Sequence, residues 1–169
     1  MFAWGKVYAG RAAREYTGRM NISPLLATAY GYTAAALALI LMALWILSGV
    51  ARARSGVTLN AEDGAKWNKP VEPADPPAVA RVLRAHANAE ALSYPFLALG
   101  AAFVLLNGNV LFAKVVFAGF VVARLLHAVA YLRSWQPARS IFFSLSFFLL
   151  LGLAGAVVVR GLSVAAVTG

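Results

Sequence analysis

An all-α integral membrane protein, built as an antiparallel four-helix transmembrane bundle, is the fold class this sequence predicts. Three observations predict it. Of its 169 residues, 62% are hydrophobic and only 12% are charged, whereas soluble domains average about 45–50% apolar and about 25% charged. Four apolar segments, at about 22–50, 78–106, 110–132 and 138–162, each reach the roughly 20 residues that cross a bilayer as a helix. The connections at 106–109 and 133–137 are short, which makes neighbouring helices antiparallel. The length suits one domain, with residues 22–164 forming the bundle and 1–21 a basic segment before it.

The elements follow in order. Residues 1–21, MFAWGKVYAGRAAREYTGRMN, mix aromatics with Lys6, Arg11, Arg14 and Arg19. They read equally as an interfacial helix at the headgroups or as a frayed tail. The first apolar segment is too long for a signal-peptide core, which runs to about 7–15 residues. Residues 51–77 form the one long connection, polar and Pro-rich toward its end. The second segment carries Pro95, which removes a hydrogen bond and bends a helix. Its Ala85, Ala87, Ala89 and Ala91 permit close helix approach. Pro137 is placed to open the fourth segment. There is no internal repeat.

Net charge is +9. In a membrane chain this reads as contact with anionic lipid and as orientation signal, since basic residues collect at cytoplasmic helix ends. No nucleic-acid motif accompanies it. Arg52, Arg54, Lys66, Lys69 and Arg133 lie on one side, with Arg81, Arg84 and Arg139 just inside that face; the other side holds an uncharged LNGN turn, Arg160 and the basic N-terminal segment. The long loop is therefore expected in the cytoplasm. With zero cysteines there is no disulfide framework, thiolate metal site or cysteine nucleophile, and no residue is assigned to a metal.

Polar residues inside the spans are the functional signal. A charged side chain at the bilayer centre costs roughly 2.5–3.5 kcal/mol on insertion scales, and such groups usually face a bundle interior. Arg84 and Asn88 share a face of the second segment, being four apart; Arg124, His127 and Tyr131 form a stripe on the third; Arg139 opens the fourth, ahead of Ser140 and Ser144. Antiparallel topology brings all of them to the loop-bearing end. Several arginines with few carboxylates suit an anion, so Arg52, Arg84 and Arg139 can hold a small polyanion, while Glu90, the lone acid in the spans, can take an ammonium group. Each has a plainer reading. Arg81 and Arg84 can snorkel, Arg124 can pair with Glu90, His127 can be a hydrogen-bonded core residue, Tyr131 an interfacial belt residue, and the serines can bond their own helix. These readings explain the clustering poorly.

The stretches RAHANAEALSYPF (84–96), RLLHAVAYLRSWQPARS (124–140) and ARARSGVTLNAED (51–63) resemble the MAPEG superfamily, the membrane-associated proteins of eicosanoid and glutathione metabolism. The pattern is nearest to its glutathione-dependent prostaglandin synthases, and the likeness covers about 24–160. The resemblance implies a homotrimer of four-helix bundles that binds glutathione as co-substrate near the cytoplasmic face. It implies glutathione contacts for Arg52, Arg84, Asn88, Glu90, His127, Tyr131, Arg139 and Ser140. It gives thiol activation to Arg139 and Ser140, and a role in prostaglandin synthesis to Asp63. Three positions depart from the pattern. Ala87 replaces an arginine. The motif glutamate's position is Ala91, with Glu90 one residue early and pointing roughly 120° from Arg84 on an ideal helix. Phe143 replaces a tyrosine. These departures argue against equating the chain with a prostaglandin synthase.

The expected activity is glutathione transfer, with or without peroxidase activity, to lipophilic electrophiles or hydroperoxides drawn from the bilayer. A prostaglandin-type isomerase and a non-enzymatic lipid-binding scaffold are the alternatives within the superfamily. A haem bundle using His86 and His127 and a proton-coupled exporter using Glu90 stand further off. The Ala/Arg-rich usage points to a bacterial inner membrane, or the endoplasmic reticulum in a eukaryote.

Overall fold

The computed structural model describes residues 22–168, so the expectation for 1–21 lies outside the described residues. The helices are α1 (Pro24–Ser55), α2 (Ala61–Trp67), α3 (Pro77–Leu105), α4 (Val110–Leu132) and α5 (Ala138–Thr168). All but α2 are long and apolar enough to cross a membrane.

The ends have local causes. Pro24 and Pro77 stand in the first turns of α1 and α3, where the missing N–H is lost to no partner. Asn109 caps α4, its Oδ1 accepting from Phe112 N at 2.9 Å. Gly56 ends α1 with φ 76°, the left-handed conformation that glycine adopts freely. Pro137 immediately precedes α5, as expected.

Two boundaries differ from the sequence reading. First, the 51–77 connection is not all loop. α1 runs on to Ser55, placing Arg52 and Arg54 in its last turn, where the helix dipole favours cations. The connection also folds on itself. Thr58 pairs with Val71 as an isolated bridge, and α2 lies between the two. A Cβ on Gly64 would fall 2.6 Å from Val71 Cγ2 and 3.0 Å from Lys69 O, so only glycine lets α2 sit so close. Second, α5 runs six residues past the expected 162 to Thr168, because SVAAVT contains no helix-breaking residue.

α1 packs on α3 and α4, and α5 packs on the same two helices, while α1 and α5 do not touch. They occupy opposite corners. The core between them is aromatic: Phe96 stacks on Phe120 at 3.6 Å between centroids, and Phe117 meets Phe96 and Tyr30 edge-on. Leu26, Leu37 and Leu153 fill the rest, fully buried. Only 17% and 11% of the apolar windows of α1 and α5 are buried, against 39% and 44% for α3 and α4. Outer helices that apolar are stable only against lipid or another chain.

At the end away from the long connection, Arg160 donates from Nε to Leu106 O (3.1 Å) and from Nη2 to Asn107 O (3.3 Å). Asn107 Oδ1 also accepts from Ser23 N at 3.3 Å. The tight turn at 106–109 is thereby tied to both outer helices.

Candidate functional site

Helical spacing and antiparallel order place the polar stripes of α3, α4 and α5 at one depth. Asn88, His127, Tyr131, Arg139, Ser140, Phe143 and Ser144 line an open groove of about 470 Å³. Three helices contribute to it, and five of its lining residues are among the positions assigned from sequence.

The groove is held by a few directed contacts. His127 Nδ1 lies 2.9 Å from Arg139 O. A carbonyl only accepts, so Nδ1 carries the hydrogen and donates. The His127 ring sits 5.8 Å from the Tyr131 ring and 5.9 Å from that of Phe143. The Arg139 guanidinium carbon lies 4.9 Å from the Tyr131 ring centroid, within cation–π range. Among the described residues no acid forms an ion pair with Arg139. Gln136 Nε2 donates to Ser140 Oγ at 3.5 Å.

Behind the groove, Arg124 is fully buried. Its Nη2 donates to Asn88 O at 2.9 Å and to Asn88 Oδ1 at 3.2 Å. The expected alternative partner, Glu90, is not there. Glu90 instead accepts from Tyr94 O–H at 2.8 Å, with His86 Nδ1 at 3.4 Å from its other oxygen. One helical register explains this. Residues 86, 90 and 94 share a face of α3, and Asn88 faces α4 a hundred degrees and more away. Glu90 is not brought to the groove, in keeping with the departure seen in sequence. Arg84 does not line it either and is exposed.

Arg52 and Asp63 lie elsewhere. They line a second hollow, of about 640 Å³, under the 56–70 connection, together with Asn60, Trp67 and Lys69. Asn60 Nδ2 donates to Asp63 Oδ2 at 3.1 Å, and Lys69 Nζ donates to Ala53 O at 3.2 Å, closing the end of α1. Arg52 is held by Asp75, with Nη2 at 3.1 Å and 3.3 Å from the two carboxylate oxygens and Nε at 3.3 Å from Oδ1. Within one chain the assigned residues thus fall in two separate places, with Arg84 and Glu90 in neither. Arg139 and Ser140 stand on α5, and Arg52 on α1, the helix α5 never meets.

Sequence reasoning missed Asp75 and the ring of Phe143 beside His127. The signal for Asp75 was present: an acid directly before the Pro-Pro pair that starts α3 faces the end of α1. Phe143 was read only as a missing tyrosine.

A multi-pass membrane bundle with a polar, partly aromatic groove that carries Arg139 at its loop end is the class that fold and groove define. A model of the MAPEG family matches residues 30–159. Prostaglandin E synthases of Homo sapiens, Macaca fascicularis and Bos taurus are 37%, 36% and 34% identical over 102 residues, which are 60% of this chain and 67% of each relative. The chain belongs to the MAPEG family.

Proposed function

We propose that the protein is a membrane-bound glutathione transferase that presents the glutathione thiolate to lipophilic electrophiles or hydroperoxides. The observation that carries this reading is the groove in which Asn88, His127, Tyr131, Arg139 and Ser140 meet. Glutathione offers two carboxylates, an ammonium and a thiol. Arg139 and the amide and hydroxyl donors beside it suit the anionic groups. A free cysteine thiol ionises near pH 8.5, and a neighbouring guanidinium in a partly desolvated site favours the thiolate by about one to three pKa units. Arg139 supplies that charge, and Ser140 Oγ supplies a hydrogen-bond donor. Holding both substrates in the groove at the membrane boundary supplies orientation.

The separation of Arg52 from Arg139 onto helices that do not touch supports a site completed between copies, with α1 of one copy reaching the groove of the next; that there are three copies is what the family resemblance implies. The loop-side cations support a cytoplasmic position for that end. Prostaglandin isomerisation is the second reading, favoured by the likeness to prostaglandin E synthases; Asp63, assigned to it by resemblance, lies in the hollow with Arg52.

The test is the ultraviolet difference absorbance of thiolate on adding glutathione to detergent-purified protein, beside Arg139→Ala. A saturable signal that Arg139→Ala abolishes is expected. A folded protein with no signal overturns the reading in favour of a scaffold. Turnover of prostaglandin H2 faster than of a simple electrophile would select the second reading.

A further inference from the structure

We propose that Asp75 is an internal competitor for glutathione, occupying the guanidinium fork of Arg52 until a carboxylate of the ligand displaces it. The inference rests on the glutathione reading above. Asp75 closes a bidentate pair on Arg52 through three contacts of 3.1–3.3 Å, the geometry in which a guanidinium also takes a ligand carboxylate. One fork holds one carboxylate in this way, so the two acids exclude each other. The pair is open to solvent, with the Arg52 side chain 46% exposed and that of Asp75 20% exposed. The half-exposed Arg52 end is where a second carboxylate can reach the fork, and a pair so near the surface is weak enough to be displaced.

Position makes the exchange consequential. Arg52 is in the last turn of α1, and Asp75 stands two residues before α3 begins. Their pair fastens the end of the 56–76 connection to α1, and Lys69 on Ala53 O is another side-chain tie to that turn, beside the short-range contacts of Ser55 with Val57. Displacing Asp75 undoes the tie nearest α3. Glutathione binding is thereby coupled to loosening of the segment that carries Asp63. Asp75 acts through Arg52, as a positioning residue.

The experiment titrates glutathione into wild type, Asp75→Asn and Asp75→Glu by calorimetry in one detergent, with kinetics on a simple electrophile. Asp75→Asn keeps the size but not the charge. Its dissociation constant and glutathione KM are expected to fall about two- to fivefold, the span an exposed pair is worth. The kcat at saturating glutathione stays unchanged, and Asp75→Glu restores wild-type affinity. A purely structural strap predicts the opposite sign, so unchanged or weaker binding by folded Asp75→Asn overturns the proposal. Absence of glutathione binding by wild type itself overturns the parent reading, and is told apart by the wild-type titration alone. Should Asp75→Asn fail to fold, hydrogen exchange of wild type decides: glutathione raises exchange in 70–76 if Asp75 is displaced, and equal or slower exchange overturns the proposal.

Discussion

His127 on α4 donates its Nδ1 hydrogen to the backbone carbonyl of Arg139 on α5, 2.9 Å away. One side chain thus sets where the first turn of α5 lies, and with it the guanidinium of Arg139. The bond also fixes the ring: in a neutral imidazole, Nε2 is left as an acceptor. His127→Asn places an amide N–H as many bonds from the backbone as Nδ1 and is expected to keep the tie. His127→Gln reaches the Nε2 position instead and loses it. His127→Gln should therefore lose about 1–3 kcal/mol of stability, the cost of an orphaned buried polar group, and bind glutathione at least tenfold more weakly, while His127→Asn stays near wild type in both. Thermal unfolding and calorimetry in detergent check this; equal loss in the two variants would show that the Nδ1 bond is not what matters.

Arg124 is fully buried and bonds only Asn88 among the hydrogen bonds found, leaving its Nε and Nη1 without a protein partner. A buried cation without an acid is costly, since replacing even a buried ion pair by apolar residues of similar size is often neutral or stabilising by about 1–4 kcal/mol. Arg124→Met is expected to unfold at the same temperature as wild type or higher. It also frees Asn88 to turn from the groove, so glutathione affinity should fall about fivefold, close to what one neutral hydrogen bond contributes. Stability and affinity moving in opposite directions is the distinguishing outcome; a joint fall would make Arg124 a packing residue only.

The bundle was legible in the sequence because lipid imposes a length and a composition that soluble cores do not. The third span, 110–132, has the same bounds in both readings. The groove was legible through its stripes, since antiparallel helices place residues counted from opposite ends at one depth. What stayed hidden depends on azimuth and on loops. Glu90 and Asn88 are two residues apart yet face different neighbours, and only packing reveals that Arg124 meets the second. The 51–77 connection has no hydrophobic period, so α2 and the Thr58–Val71 bridge had no signal beyond scattered turn residues. Gly64 is where a close approach requires glycine, but its neighbours Val71 and Lys69 lie too far along the chain to be foreseen.

Gly108 tests the tight turn at the far end. A Cβ there would fall within the ring of Phe103, which is buried. Gly108→Ala is expected to destabilise the fold by about 1–3 kcal/mol, the usual cost of overpacking. The groove proposed for glutathione lies at the opposite end of the bundle, so affinity in the surviving folded protein should not change. A thermal shift without an affinity change confirms the separation; loss of binding at a temperature where the variant is folded would mean that the two ends are coupled.

The chain has zero cysteines, so a single introduced cysteine reports its own location without background. Lys66 is exposed on α2 beneath the loop, and Leu105 is 51% exposed at the last turn of α3. The four spans put these two on opposite faces of the membrane. In intact cells, a membrane-impermeant thiol reagent should label Leu105→Cys and spare Lys66→Cys until the membrane is opened. The reason is electrostatic: Arg52, Arg54, Lys66, Lys69, Arg81 and Arg133 cluster at the loop end, where cytoplasmic leaflets are most anionic. The proposed function agrees with the charge, because a groove that takes glutathione at that end would draw on a cytosolic pool. The reverse labelling would leave the bundle intact but put Arg139 outside, and the glutathione reading would lose its source of co-substrate. Labelling of both sites from one side would contradict the four-span topology itself.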